Sequence, residues 1–383
     1  MEQLVRLGDV CTVVSGSTPK TSVDEYWNGD VKWITPAELD ADSYYIHDSV
    51  KHITELGRTK TGLSYMPVGT VILSSRAPIG KTAILGCEMC CNQGFKNLIC
   101  TDRIFNEYLY HFLRAKTNYL NSLGRGATFK ELSKGIVENV LIPLPAIEEQ
   151  HHIADLFASV EELIQTKKQQ LDLFDELVKS RFIELFGDET EFGKWPCCTI
   201  GDVADVCVGV VIKPTQYYTD KGIPAFRSLN IGEMRVKDAD WVYFTEEGHQ
   251  KNQKSVIRKN DVLVVRSGAP GTACVATEKY DGYNAVDIII AHPDNSKVNS
   301  VFLAAFTNMP HGMNQIRAKT GGAAQQHFNV GGYKAMSLIM PPMELQEQFA
   351  TFVEQTDKSK LAVQQSIAEL EELKKSLMQK FFG

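Results

Sequence analysis

The chain has no long hydrophobic run. Its apolar stretches are short, such as Val262–Val265 and Ile288–Ala291, far below the ~20 residues that cross a bilayer, so no membrane association is expected. Met1-Glu2-Gln3 lacks the basic and apolar regions of a signal peptide. Nine cysteines, an odd number in 383 residues, argue against a disulfide framework and for a reducing, cytoplasmic home. Enzyme signatures are also missing. There is no Asn-Pro-Pro-aromatic amine-methylation motif and no Gly-x-Gly cofactor loop between a strand and a helix. No carboxylate cluster suits metal-assisted phosphodiester cleavage. Nor is there a basic excess: 40 Lys and Arg face 47 Asp and Glu, a net charge of −7. The remaining composition, 43% hydrophobic and 23% charged, is that of a soluble globular protein, long enough for two or more cored domains.

What the sequence does contain, it contains twice. Pro145-Ala146-Ile147-Glu148-Glu149-Gln150 opens a segment that ends at Phe186-Gly187. Pro341-Pro342-Met343-Glu344-Leu345-Gln346 opens another that ends at Phe382-Gly383. The two align without a gap, placing Glu148 on Glu344, Gln150 on Gln346, Leu177 on Leu373 and Ser180 on Ser376. A repeat on this scale marks a duplicated protein.

Both segments predict long helices. The first carries a heptad seam through Leu156, Val160, Leu163, Lys167, Gln170, Phe174, Leu177 and Arg181. The second has Phe352, Thr356, Ser359, Val363, Ser366, Leu370, Leu373 and Leu377 at the matching places. Neither run is broken by Gly or Pro, and each follows a proline-containing entry. Roughly 36 residues would span about 54 Å. A half-apolar helix of that length needs a partner, and the other copy is the nearest one. The charge agrees with such a scaffold. Residues 147–187 hold four basic against nine acidic side chains and residues 343–383 five against seven, so the rest of the chain is neutral. Acidic helices make poor DNA surfaces, so any DNA contact belongs to the other segments.

Those segments read as short strands and turns. Leu7–Val14 is β-rich and runs into the loop Ser15–Lys20; Val31–Ile34 and Val68–Leu73 are further strands, and a helix is expected over Asn106–Asn121. After a linker at 188–199 the pattern restarts. Ile200-Gly201-Asp202-Val203 echoes Leu7-Gly8-Asp9-Val10, and Asp261–Gly271 echoes the strand and loop that end at Gly80. The helices are alike while the globular parts diverge, as expected of one scaffold presenting two different readers.

These landmarks, in this order twice over, resemble the specificity (S) subunit of type I restriction–modification systems. The match rests on the Leu-Gly-Asp-Val and Ile-Gly-Asp-Val starts, Ser15–Pro19 and Trp33-Ile34-Thr35-Pro36. It continues through Arg76-Ala77-Pro78, Gly268-Ala269-Pro270, Gln325-Gln326-His327-Phe328-Asn329 and the two Pro-x-x-Glu-x-Gln entries. The first half departs from the pattern at Gly126–Leu132, where the second has Gln-Gln-His. The resemblance implies an α+β chain with target-recognition domains at 1–146 and 200–342, long helices at 147–187 and 343–383, and a linker at 188–199. The helices would pair as an antiparallel coiled coil with pseudo-twofold symmetry. It also implies a non-catalytic reader of double-stranded DNA, each domain taking half of a split target. Two modification (methyltransferase) subunits would dock on the helices and a restriction subunit could join. S-adenosylmethionine, ATP and Mg²⁺ would belong to those partners, and this chain would bind no cofactor or metal.

Base and phosphate reading calls for Arg, Lys, Asn, Gln and hydroxyls on loops. In the first half the candidates are Thr18, Lys20, Lys32, Thr35, Arg76, Lys81, Arg125, Thr128 and Lys130. In the second they are Lys213, Arg227, Asn230, Arg266, Lys319, Gln325, Gln326 and His327. Each could equally be a solvated or turn-forming residue; Arg76 and Arg266, in equivalent loops after apolar strands, rank first. Ser75–Thr82 nearly spells a phosphate-binding loop, but its first Gly is missing and a β-like run follows. Cys87, Cys90, Cys91 and Cys100 read as core cysteines rather than zinc ligands, and His151-His152 as surface residues. The competing functions are a stand-alone methyltransferase or nuclease, or a coiled-coil interaction protein without DNA specificity. The coiled-coil reading leaves the duplicated polar loops unexplained.

Overall fold

The computed structural model describes residues 3–40, 43–76, 78–125, 130–320 and 327–383, apart from the side chains of Phe192 and Thr320. The chain forms two compact units, residues 1–168 with 365–383, and residues 169–364. Each repeats one plan.

In each unit the first strand pairs with the last. Leu4–Arg6 lies antiparallel to Leu141–Pro143, with Val5 opposite Ile142. Cys197–Thr199 lies antiparallel to Ser337–Ile339, with Cys198 opposite Leu338. The Leu-Gly-Asp-Val and Ile-Gly-Asp-Val landmarks follow directly and, against the β-rich reading of Leu7–Val14, both are single helical turns. Local side-chain bonds accompany both turns. Thr199 and Asp202 form a capping box, which satisfies the first backbone donors of a helix, and Arg6 pairs with Asp9 at 3.0 Å across the first turn.

The main sheet of the first unit contains β1 (Cys11–Ser15), β2 (Tyr45–Ile46), β3 (Val71–Ser74), β4 (Thr82–Leu85) and β5 (Phe95–Cys100), in the order β1-β5-β3-β4-β2. Every residue of β3 and β4 is buried. Their unbroken apolar runs therefore belong to strands covered on both faces. Helix α1 (Asn106–Ala115) supplies cover through Tyr108, Leu109, Phe112 and Leu113. The expected helix over Asn106–Asn121 breaks at Lys116, and a second one runs over Thr117–Leu123. The Thr117 hydroxyl donates back to Arg114 O at 2.9 Å, the kind of local bond that competes with a continuous helix. A smaller sheet joins Trp27–Ile34 to His52–Ile53 and Cys90–Cys91.

The long helices are α2 (Ile147–Phe186) and α4 (Met343–Phe382), 40 residues each. Between them, the second unit holds β6 (Ala204–Val208), β7 (Val262–Val265), β8 (Ala273–Val275) and β9 (Ile288–Pro293), in the order β6-β9-β7-β8, with helix α3 (Ser300–Asn308) against them. The first half of α2 belongs to the first unit and its second half to the second, while α4 is divided the other way. The helices run antiparallel in both units. In the first, Phe157 stacks on Phe382 at 5.8 Å and Glu161 meets Lys374 at 2.5 Å. In the second, Asp175 meets Lys360 at 2.7 Å and Phe186 packs edge-on against Phe349 at 5.7 Å.

The seam is rotated from the sequence-based one. Val160 on α2 and Thr356 and Val363 on α4 lie on it as expected and are buried, but Leu163 and Leu177 are 49% and 47% exposed while their neighbours Ile164 and Val178 are buried. On α4, Ser359 and Leu373 face outward, and Lys360 and Lys374 take the seam positions with the ion pairs above. Adjacent apolar pairs such as Leu163-Ile164 offer two columns that spacing alone does not separate. The phenylalanines decide between them: Phe157, Phe182 and Phe186 are fully buried and set the rotation at both ends of α2.

Candidate nucleic-acid interface

The loops after β3 and β7 are built alike. Gly80 N donates to Ser74 O at 3.1 Å and Gly271 N to Val265 O at 3.0 Å. Both glycines hold φ near +100° (+101° and +97°), a conformation side chains resist. Leu132 N then donates to Ser75 O at 2.8 Å, and Phe328 N to Arg266 O at 3.0 Å. These bonds match Ser75 to Arg266, and so Arg76 to Ser267, one residue away from the register suggested by the Ala-Pro landmarks. The loops correspond; the two arginines do not.

The side chains follow this register. In the first unit Arg76 Nε lies 3.1 Å from Glu131 Oε2. In the second, Ser267 Oγ lies 2.6 Å from His327 Nδ1, so His327 stands where Glu131 does. Lys96, 4% exposed, reaches the first loop from within β5. Its Nζ lies 3.2 Å from Ser75 Oγ and 3.5 Å from Glu131 Oε1. Burial holds its pKa below the usual lysine range, and Glu131 partly offsets this. Arg125 joins the group through paired backbone bonds to Glu131 at 3.1 and 2.9 Å. One carboxylate thus faces both Arg76 and Lys96. In the second unit Arg266 turns toward Asp287 at 2.6 Å and donates from Nε to Phe328 O at 3.2 Å.

The other predicted residues fall into two groups. Several hold the fold together. Thr35 closes a capping box with Glu38, and Lys81 donates to Pro36 O and Leu39 O. Asn230 is fully buried and donates to Ala239 O at 2.7 Å. Arg227 donates to Asp240 O. Thr18 accepts from Asn92 at 2.9 Å, Lys32 donates to His47 O at 2.7 Å, and Lys319 donates to Gly332 O at 2.9 Å. Lys20, Lys130 and Lys213 are exposed. Thr128, Gln325 and Gln326 lie outside the described residues. Sequence reasoning missed Lys96, Glu131 and Asp287. A lysine beside an asparagine inside the apolar strand Phe95–Cys100 was the available signal for Lys96. Glu131 and Asp287 had none, because their role is to hold another side chain.

The near phosphate-binding loop Ser75–Thr82 runs into strand β4, so it has no helix N-terminus to meet a phosphate. Cys90 and Cys91 are buried, and burial pushes the Cys90 thiol up to about 11. His151 packs on the Phe105 ring at 3.9 Å.

The Pro-x-x-Glu-x-Gln entries also have a structural explanation. Gln150 is fully buried; its Oε1 accepts from Phe105 N at 2.8 Å, and its Nε2 donates to Arg103 O and Pro145 O at 3.1 and 3.0 Å. Gln346 repeats the pattern, accepting from Asn299 N and donating to Pro341 O, both at 2.9 Å. Phe105 and Asn299 are the N-caps of α1 and α3. Each glutamine therefore ties the start of a long helix to the recognition unit before it.

Comparison with known proteins bears on all of this. Residues 2–173 and 193–372 match the family described as the type I restriction modification DNA specificity domain. The type I restriction enzyme MjaIX specificity subunit of Methanocaldococcus jannaschii is 28% identical over 99% of this chain and 92% of its own. The EcoBI specificity subunit of Escherichia coli is 22% identical over 73% and 66%. A chain solved in work on complex assembly and conformational transition of the type I R-M system has a TM-score of 0.61 at 19% identity, covering 99% of this chain and 97% of its own. The S subunit from M. genitalium gives 0.54 at 14% identity, with 100% and 96% covered. With the family matched over both repeats and the fold shared, the chain belongs to the type I restriction–modification DNA specificity family, with two target-recognition domains.

Proposed function

We propose that this chain reads a bipartite duplex for a methylation and restriction complex and leaves catalysis to its partners. The supporting observation is a single turn built twice with different chemistry at its tip: Arg76 against Glu131 in one unit, Ser267 against His327 with Arg266 alongside in the other. Like scaffolds with unlike tips suit an asymmetric, split target, because each tip presents its own donors to base edges. The 40-residue helices, about 60 Å long at 1.5 Å per residue, would space the readers and dock two modification subunits. A restriction subunit would join that assembly. S-adenosylmethionine, ATP and Mg²⁺ would be bound by those subunits, in the cytoplasm where they meet the chromosome.

Exchanging residues 200–342 for the same region of a relative tests this. Methylation by the reconstituted complex should change at one half of the recognised site and persist at the other. A hybrid that folds and assembles yet changes both halves, or neither, contradicts the assignment of one half-site to each domain.

A further inference from the structure

Three chemically active side chains meet in the second unit, away from the loop tips. Cys207 on β6, His292 on β9 and Asp261, just before β7, occupy three neighbouring strands. His292 Nδ1 lies 2.6 Å from Asp261 Oδ1, and Nε2 lies 3.7 Å from Cys207 Sγ. Asp261 is 2% exposed, and its second oxygen accepts from Arg258 N at 2.6 Å, so the carboxylate is fixed in place. Sulfur, imidazole and buried carboxylate in that order give a nucleophile, an acid–base partner and the group that orients the partner. The Asp261 hydrogen bond, and then the sulfur, push His292 up to about 9. An imidazolium beside a sulfur is the setting in which thiols react as nucleophiles.

The fold does not require this trio. Cys11 opposite Cys100 corresponds to Ala204 opposite Pro293, and Val71 opposite Leu98 to Val262 opposite Ala291. That register puts Val14, Ile99 and Thr70 of the first unit where Cys207, His292 and Asp261 stand in the second. The same sheet is built there with two apolar side chains and a hydroxyl. Asp261 also lies at the opposite end of β7 from Arg266, so the trio is separate from the reading loop. The trio meets the surface at Cys207 and His292. Cys207 is half-buried, and His292 lines a surface groove of about 490 Å³. The charged groups facing that groove are Arg258, Lys297 and Lys334 against Asp202, Asp205 and Asp294. With the His292 imidazolium these make four positive groups against three negative, so an anionic disulfide is not repelled.

We propose that Cys207 is a reactive thiol, with His292 as its acid–base partner and Asp261 as positioning residue, that exchanges with small-molecule disulfides. Cys207 Sγ attacks one sulfur of the reagent; a new S–S bond forms as the reagent's own S–S bond breaks. The thiol, which donates to Lys254 O at 3.1 Å, loses its proton to solvent; the His292 imidazolium gives its Nε2 proton to the departing thiolate and is reprotonated from solvent. The products are a mixed disulfide on the chain and one free thiol, so the disulfide is the only oxidant needed.

The test treats the full chain with glutathione disulfide at neutral pH and follows all nine cysteines by peptide mass spectrometry over time. Cys197 is exposed and Cys207 is not fully so, and exposure alone would make Cys197 the faster. The inference expects Cys207 to be modified first. It also expects H292Q to slow Cys207 on the order of tenfold with the Cys197 rate unchanged. Cys197 modified ahead of Cys207 in the unaltered chain overturns the proposal, and that comparison needs no variant. So does an H292Q chain in which buried Cys274 stays protected and Cys207 reacts at its original rate.

Discussion

Arg266 Nη1 donates to Asp287 Oδ1 at 2.6 Å, and Asp287 holds a left-handed backbone (φ 49°) just before β9. The carboxylate and Phe328 O together fix the plane of the guanidinium. A guanidinium has five N–H donors, and these bonds use two, so an oriented fork still has donors for a base edge. R266A should weaken binding to the second half-site by about 1–3 kcal/mol and relax base preference there. D287A should relax preference more than it weakens binding, since the arginine remains but loses its orientation. Fluorescence anisotropy of the assembled complex on half-site variants at fixed salt separates the cases. An equal loss on every sequence, with a shallower salt dependence, would make Arg266 a phosphate contact.

The two buried glutamines predict a matched pair of defects. In Q150L the half-buried Phe105 N–H loses Gln150 Oε1, at a cost of up to about 1–3 kcal/mol. Q346L should do the same at Asn299 in the second unit. Hydrogen exchange should show faster opening at α1 in the first variant and at α3 in the second. Opening at both in either variant would mean the glutamines do not act locally.

Phe382 is the last residue of α4, and helix ends commonly fray. Here it is 2% exposed and sits among Tyr108, Phe112 and Phe157. F382A should therefore cost about 3–5 kcal/mol, as a core Phe-to-Ala change does, and loosen the first unit. Limited proteolysis should cut first within residues 1–146. Wild-type resistance would show that this phenylalanine contributes no core.

His111 predicts a pH response. It is fully buried and stacked on Phe157 at 4.7 Å. Burial first, then Lys374 and Arg114, holds it down to about 3. The unfolded chain, with an ordinary value near 6.5, takes up the proton first. Stability is therefore fully present above pH ~6.5 and falls below it at up to about 1.4 kcal/mol per pH unit, until the folded value is reached. H111F, which keeps the stacking, should flatten the denaturation midpoint of the first unit between pH 6.5 and 5. An unchanged slope would assign the acid sensitivity to other groups.

How far these features could be read in the sequence depends on the kind of interaction. The duplication, the long helices and their antiparallel partnership follow from spacing, because a gapless repeat of an uninterrupted heptad pattern has few other solutions. The seam rotation does not follow, since Leu163-Ile164 and Leu177-Val178 are alike to any count of apolar positions. Only packing of Phe157, Phe182 and Phe186 distinguishes them. Leu7–Val10 is composed like a strand, yet it forms a helical turn that buries Leu7 and Val10, with Arg6 and Asp9 paired across it. At the candidate interface, side-chain chemistry picked out Arg76, Arg266 and His327. It also picked out Asn230, Lys81 and Thr35, whose polar groups are engaged in holding turns. Residue type marks what a side chain can bond to; its long-range partner appears only with the fold.

As proposed above, this chain chooses DNA sequences for a methylating complex. The most direct measurement is a single-base methylation map of the host genome with the gene present and deleted. Deletion should erase methylation at one split motif, with modified adenines on opposite strands about one helical turn, ~10 base pairs, apart. An unchanged map in cells shown to express both this chain and its modification partner would contradict the claim.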